Sequence, residues 1–380
     1  MVNKYHSIAV KDGGVLDGLN TFLKGLLENG FVSALLVPKM LPSGDGYVQT
    51  LILDPTQVQK VNPCAPTLPV HSARILSELT SGQIKGRIGA LLKPCELKAV
   101  VELVKFLQID LDNVVTIGID CPGTYEVRDF AVLAKNGGIS QSLLIEGLQK
   151  GEQQPPEGYA LRRSCQICEN PAAVNADINL GLLGCDLSRE IEVAVGERFR
   201  EELAEGGSLK LADKGSAGRP GAIKKLTARR RKKREEVLKQ VRDSTGSLEK
   251  LMQVLSTCIR CHNCMNACPI CYCKECVFES NVFEHTSDQF LSWAARKGAL
   301  RLPTDTLLFH LTRMSHMATS CTSCGLCSSA CPNQLPVSDL FGLIGGELQE
   351  MFAYGAGRAL EEQPPVIVFK EDELQAETGS

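Results

Sequence analysis

Residues 258–276 read CIRCHNCMNACPICYCKEC, and residues 321–332 read CTSCGLCSSACP. Both contain C-x2-C-x2-C-x3-C-P, at Cys258, Cys261, Cys264 and Cys268 and again at Cys321, Cys324, Cys327 and Cys331. Three thiolates at that spacing converge on one iron–sulfur cube from a single loop, and the fourth serves the neighbouring cube of a two-cluster fold. The proline behind each fourth cysteine (Pro269, Pro332) turns the chain away. The pattern predicts one 4Fe-4S cluster on Cys258, Cys261, Cys264 and Cys331. It predicts a second on Cys268, Cys321, Cys324 and Cys327. Paired zinc knuckles are the alternative, but zinc sites rarely use three evenly spaced cysteines with a fourth followed by proline.

The chain has seventeen cysteines, an odd number. Its start, MVNKYHSIAVKDGG, lacks an apolar stretch of signal-peptide length, and no run of about 18 apolar residues follows. A cytoplasmic location without a membrane span is expected, where thiols favour metal ligation over disulfides. Cys271, Cys273 and Cys276 add C-x-C-x2-C directly behind Pro269. Three thiols in six residues suggest a further metal site, with a fourth ligand from Cys64, Cys185 or His285. Unligated thiols lining the cluster loop are the alternative.

The elements that must position these groups fall into two halves. In the first, YHSIAV, SALLVPKML, TLILDP, IGALLKP and VVTIGID read as strands. They alternate with helical stretches VLDGLNTFLKGLLENG, SARILSELTSG and CELKAVVELVKFL. That alternation predicts an α/β layer with a largely parallel sheet. Cys95 and Cys121 sit where strands end, the edge at which an open α/β sheet builds its site. With the C-x2-C of Cys165 and Cys168 they form an inventory for a third cluster, although lone core cysteines are common. In the second half, the stretch between the two motifs reads as two helices broken near Pro303. Its length is unlike a minimal ferredoxin and is similar to the helical spacer of subunits related to heterodisulfide reductase and fumarate reductase. His310, Arg313 and His316 stand at i, i+3 and i+6 on roughly one helix face, placed to donate to a cluster sulfur or simply to face solvent.

The order KPC, IGIDC, CQIC…ADINLG, followed by CPICYCKEC and FHLTRMSHM, resembles the beta-subunit family of coenzyme F-420 hydrogenases and dehydrogenases, and within it the formate dehydrogenase beta subunit. The resemblance runs from about residue 5 to residue 345. It implies an oxidoreductase subunit with an N-terminal α/β flavin domain and an α-helical two-cluster ferredoxin-type domain. It also implies FAD in the first domain, with a 4Fe-4S cluster on Cys95, Cys121, Cys165 and Cys168. The family's glycine-rich SGG-x-x-T element is replaced by KDGGVLDGLNTF, so Gly13 and Gly14 are the nearest candidates to cradle a pyrophosphate, with an ordinary tight turn equally open. Lys93, Asp177 and Gly181 complete the expected flavin contacts. No G-x-G-x-x-G is present to mark a nicotinamide site.

The expected divisions are 1–204 for the flavin domain, 205–250 for a flexible linker and basic helix, 251–345 for the ferredoxin-like domain, and 346–380 for a C-terminal helix and acidic tail. Six consecutive basic residues at 229–234 read as a solvated or partner-docking face. The net charge of −3 argues against nucleic acid. The function expected is electron transfer between 4Fe-4S clusters, FAD and a two-electron acceptor. Formate or hydrogen chemistry would belong to a separate molybdenum, tungsten or hydrogenase subunit. A heterodisulfide-reductase-like protein or a ferredoxin is a further expected partner. The alternatives are a flavin-free relay joining a dehydrogenase to such a partner, and a zinc and nucleic-acid module.

Overall fold

A computed structural model describes residues 4–10, 14–82, 84–139, 141–151, 155–205, 210–211, 215–298 and 305–368. Its first half is built on β1 (Lys4–Ala9), β2 (Ala34–Met40), β3 (Tyr47–Ile52), β4 (Ile88–Leu92), β5 (Val114–Ile119), β6 (Ile178–Gly181), β7 (Glu190–Val195) and β8 (Lys210–Leu211). They form one sheet in the order β3-β2-β4-β5-β6-β7-β1-β8. β2, β4, β5 and β6 are parallel neighbours. β7 runs antiparallel to both β6 and β1, so β1 shares the direction of the central four. The carboxyl ends of five strands therefore meet on one edge.

β2, β4 and β5 are apolar on both faces because both faces are covered. Leu35, Val37, Leu91, Val115, Ile117 and Ile119 point into a core under helix Val15–Glu28. Their alternates Ala34, Leu36, Ala90, Leu92 and Val114 face the opposite core, which carries helices Ser72–Thr80 and Pro94–Lys105. That second core runs on without a break into the cysteine-rich half through Met265, Ile270, Phe309, Met317, Leu340 and Phe341. The two halves are thus packed through a shared interior.

Two expected boundaries shift. The helix Arg219–Thr245 begins inside the stretch expected as flexible linker. Its first guanidinium is tied to the buried carboxylates of Asp120 and Glu192 on the sheet. Residues 206–209 and 212–214 of that stretch lie outside the described residues, as does the acidic tail from 369 onward. The last long helix, Val337–Met351, spans the expected boundary at 345, because Val337, Leu340 and Phe341 belong to the core around the cysteine loops. The basic run is not uniformly solvated either. Arg230 is 4% exposed and donates to the carbonyls of Pro122 (2.5 Å) and Cys168 (3.4 Å). Arg231 and Arg234 pair with Glu169, leaving Arg229, Lys232 and Lys233 outward. No described helix is long and apolar enough to cross a membrane.

Candidate metal centres

The two ferredoxin-type loops repeat their backbone as well as their spelling. Arg260 and His262 adopt left-handed φ values of 52° and 59°, and the matching Ser323 and Gly325 adopt 55° and 78°. A left-handed residue two places after the first cysteine swings its N–H back toward the thiolate, and such bonds favour the charged sulfur. Cys258 accepts this bond from Arg260, Cys321 from Ser323 and Cys324 from Leu326. His262 and Gly325 then open the short helices Asn263–Asn266 and Leu326–Ser329, which carry the third cysteine of each run.

These loops close around two cavities. One is lined by Cys258, Cys261, Cys264 and Cys331, three thiols from the first run and the last of the second. The other is lined by Cys268, Cys321, Cys324 and Cys327, the converse set. Among the described residues no three His, Cys, Asp or Glu side chains converge as tightly as a single metal ion requires. The thiols instead surround empty space, and a donor set of four sulfurs around a cavity suits a polynuclear cluster better than one zinc ion. Burial pushes the thiols up, Cys264 to about 11 and Cys324 to about 12. Such thiols need a cationic centre to exist as thiolates.

The spacer helix Thr306–Met317 supplies the outer shell. His310 and Arg313 are both 3% exposed, with His310 Nε2 3.4 Å from Cys258 Sγ. Arg313 Nη1 donates to Cys264 Sγ at 3.1 Å and Nη2 to the Cys264 carbonyl at 3.1 Å. The same guanidinium lines the second cavity. Burial, with Arg313 beside it, holds His310 down to about 4, so the ring is neutral. His316, one turn on, is exposed and takes no part.

Cys95, Cys121, Cys165 and Cys168 come together at the carboxyl edge of the sheet. Cys95 senses the charges of Cys121, Cys168 and Cys324, while Cys121 senses Cys165 and Cys168. Burial raises Cys95 far above its ordinary value and Cys121 to about 11. Burial also acts to raise Cys165, but Arg162, together with the Thr124 N–H (3.4 Å) and hydroxyl (3.3 Å), overcomes it and leaves this thiol below its ordinary value. Arg162 is 4% exposed and reaches both halves. It donates to Thr124 Oγ1 (2.8 Å), to the Cys324 carbonyl (3.1 Å) and toward Cys165 Sγ (3.7 Å). Nothing in the sequence around RRSCQIC marked Arg162 as such a bridge, because its role depends on a loop 162 residues away.

The remaining expected residues scatter. Cys271, Cys273 and Cys276 line one groove. Their expected fourth ligands lie elsewhere: Cys64 and Cys185 are packed in the core under helix Val15–Glu28, and His285 lines a separate aromatic cavity. Of the flavin candidates, Gly13 lies outside the described residues. Gly14 starts helix Val15–Glu28 at the carboxyl end of β1, on the same edge as Lys93 and Cys121. Lys93 is buried and its charge favours the thiolates of Cys64 and Cys121. Gly181 packs against the Arg219 guanidinium. Asp177 precedes β6 and so lies at the opposite edge. Its carboxylate accepts from the N–H and hydroxyl of Thr116, both at 2.8 Å, and faces Arg198 at 3.8 Å. A flavin at the carboxyl edge fits Gly14 and Lys93 but would not touch Asp177.

A 4Fe-4S dicluster domain model matches residues 254–335. The coenzyme F-420-dependent formate dehydrogenase subunit beta of Methanocaldococcus jannaschii is 26% identical over 93% of this chain and 96% of its own. The coenzyme F-420-dependent formate dehydrogenase 1 subunit beta of Methanococcus maripaludis is 25% identical over 97% of this chain and 98% of its own. A chain from the F-420-reducing nickel–iron hydrogenase complex of Methanosarcina barkeri overlays 65% of this chain and 94% of its own, at TM-score 0.42 and 14% identity. Near-complete alignment to the two relatives, with an iron–sulfur dicluster domain where the repeated thiol loops lie, makes this chain an oxidoreductase subunit similar to the beta subunits of coenzyme F-420-dependent formate dehydrogenases.

Proposed function

We propose that this subunit carries electrons singly through three 4Fe-4S clusters, between a catalytic partner and a flavin at the sheet's carboxyl edge. The ligand sets would be Cys258, Cys261, Cys264 and Cys331; Cys268, Cys321, Cys324 and Cys327; and Cys95, Cys121, Cys165 and Cys168. The observation carrying the reading is the crossed lining of the two cavities, each taking three thiols from one loop and one from the other. FAD would supply the conversion between one- and two-electron transfers. Here the chain's own part is to set distance, potential and water access: Arg313 and His310 face the first pair of clusters, and Arg162 joins the third set to the second. Formate, the substrate in the names of the two relatives, would be oxidised by a separate subunit bearing molybdenum or tungsten. A deazaflavin would serve as the two-electron acceptor, or a heterodisulfide-reductase-like protein or ferredoxin would take the electrons directly.

One observation favours a flavin-free relay instead: Asp177 and Gly181 are already engaged by Thr116 and Arg219. Anaerobic purification with iron, sulfide and flavin quantified per chain separates the readings. About twelve irons from the three sets and one released flavin support the main one. Iron without flavin supports the relay, and a colourless preparation without reducible paramagnetic centres refutes both.

A further inference from the structure

We propose that Cys271, Cys273 and Cys276 form a fourth, three-thiolate iron–sulfur site whose remaining iron opens into the groove between the two halves and takes an external thiolate. The proposal rests on the iron–sulfur reading above. All three thiols line one groove with a volume of about 1290 Å³, walled on the far side by Arg74, Ser77 and residues 107–112. Cys271 follows Cys268 of the second cavity by three residues, and Cys276 Sγ lies 3.7 Å from Met265 Sδ on the same groove wall.

The loop is shaped for this. Ile270 and Phe278 are buried anchors in the shared core, and the Tyr272 ring packs on Phe106 at 5.4 Å. The intervening positions 271, 273 and 276 are left to face the groove. A structural cysteine is a buried small hydrophobe, whereas Cys273 is exposed and the other two half-buried. None is in a disulfide. A lone ion does not suit the trio, since no such tight convergence occurs among the described residues. Among the described residues no fourth cysteine and no histidine lines the groove. One iron would therefore lack a protein sulfur and would face open space, where a small thiol or a cysteine of a partner can bind.

The test compares wild type with the Cys271→Ser/Cys273→Ser/Cys276→Ser variant of the full chain, both purified anaerobically. The variant should hold about four fewer irons and sulfides per chain while keeping the paramagnetic signals of the ferredoxin-type pair. Addition of 2-mercaptoethanol should perturb one signal of the wild type that the variant lacks. Equal iron in the two proteins overturns the proposal, as does one zinc per chain lost from the variant. Failure of the underlying reading looks different, because the wild type itself would then contain no iron or sulfide. Should the triple variant not fold, Cys273→Ser alone replaces an exposed side chain; it too should lower the iron count, and an unchanged count refutes the site.

Discussion

Replacing Arg313 by glutamine should lower the reduction potential of the cluster proposed on Cys258, Cys261, Cys264 and Cys331. The guanidinium is buried and donates to Cys264 Sγ at 3.1 Å. Reduction adds one negative charge to the cube, so a fixed cation stabilises the reduced form. At an effective dielectric constant of about 20 and a distance of about 5 Å to the cube, the Coulomb contribution is about 3 kcal/mol. A hydrogen bond to a charged group gives a similar range, about 1.5–3 kcal/mol. For a one-electron couple, about 1.4 kcal/mol corresponds to about 59 mV. The expected fall is therefore about 60–130 mV. The second cluster, whose cavity the same guanidinium lines, should fall by less, because no hydrogen bond to its thiols is lost. Arg313→Lys keeps the charge and should recover most of the shift. The assay is a reductive titration followed by electron paramagnetic resonance, with iron content measured on each variant. A variant with full iron whose two potentials stay within roughly 20 mV of wild type would refute the electrostatic account.

Three further outcomes follow from packing and charge. His71 is buried, and burial holds its ring down to about 4 while Nδ1 accepts the Ala73 N–H at the start of helix Ser72–Thr80. Its folded value lies below the unfolded value of about 6.5, so its stability contribution is complete above about pH 6.5 and is lost as pH falls toward 4. That loss amounts to about 3 kcal/mol, and His71→Asn, which keeps a capping acceptor, should flatten urea-unfolding stability across that window. Gly325 has φ +78°, and a Cβ there would meet Ser164 Oγ at 2.1 Å; Gly325→Ala should cost about 2–4 kcal/mol in thermal unfolding, with part restored by Ser164→Gly. Arg219→Met strands the buried Asp120 carboxylate, so urea unfolding should show a loss of about 3–5 kcal/mol.

Much of this was legible from residue order alone, and the reasons differ by region. The strands β2, β4 and β5 were readable because both their faces are buried, giving unbroken apolar runs between helices with a clear 3.6-residue stripe, whereas the part-exposed β1 and β3 were marked only by shorter apolar runs. β6 and β7 were not, since INLG is only four residues long and EIEVAV sits among charges. The ferredoxin-type sets were legible because local spacing fixes three of every four ligands. The third set was less so: its thiols come from three separate loops, and only the fold brings Cys95 beside Cys121 and Cys168. His310 and Arg313 were foreshadowed by their i, i+3 spacing, but the same pattern also nominated His316, which the helix turns outward. Asp177 shows the opposite failure. A carboxylate in a family-like motif read as a ligand contact, yet its oxygen is spent on Thr116 and Arg198.

The long insert between the two thiol runs has a physical rationale. Two cubes side by side leave their sulfurs' charge uncompensated in a low-dielectric core, which is costly without a cation or donor nearby. Helix Thr306–Met317 crosses between the cavities and delivers Arg313 to both, His310 to Cys258, and Met317 Sδ to within 3.7 Å of the Cys268 thiol. On the proposed ligation the centres then follow a definite order. The Cys121 set meets the second cube across Arg162 and Cys324, the second meets the first across Arg313, and the first reaches the surface at Cys261, whose side chain is exposed. Both junctions are bridged by a buried guanidinium. Such bridges hold neighbouring negative centres close without letting mutual repulsion drive their potentials apart, and arginine keeps its charge at every pH these centres would meet. Substituting either bridge should therefore lower the potentials of both adjacent centres, more for the one that also loses a hydrogen bond to its sulfur. A spacer that only held the loops together would not produce that signature.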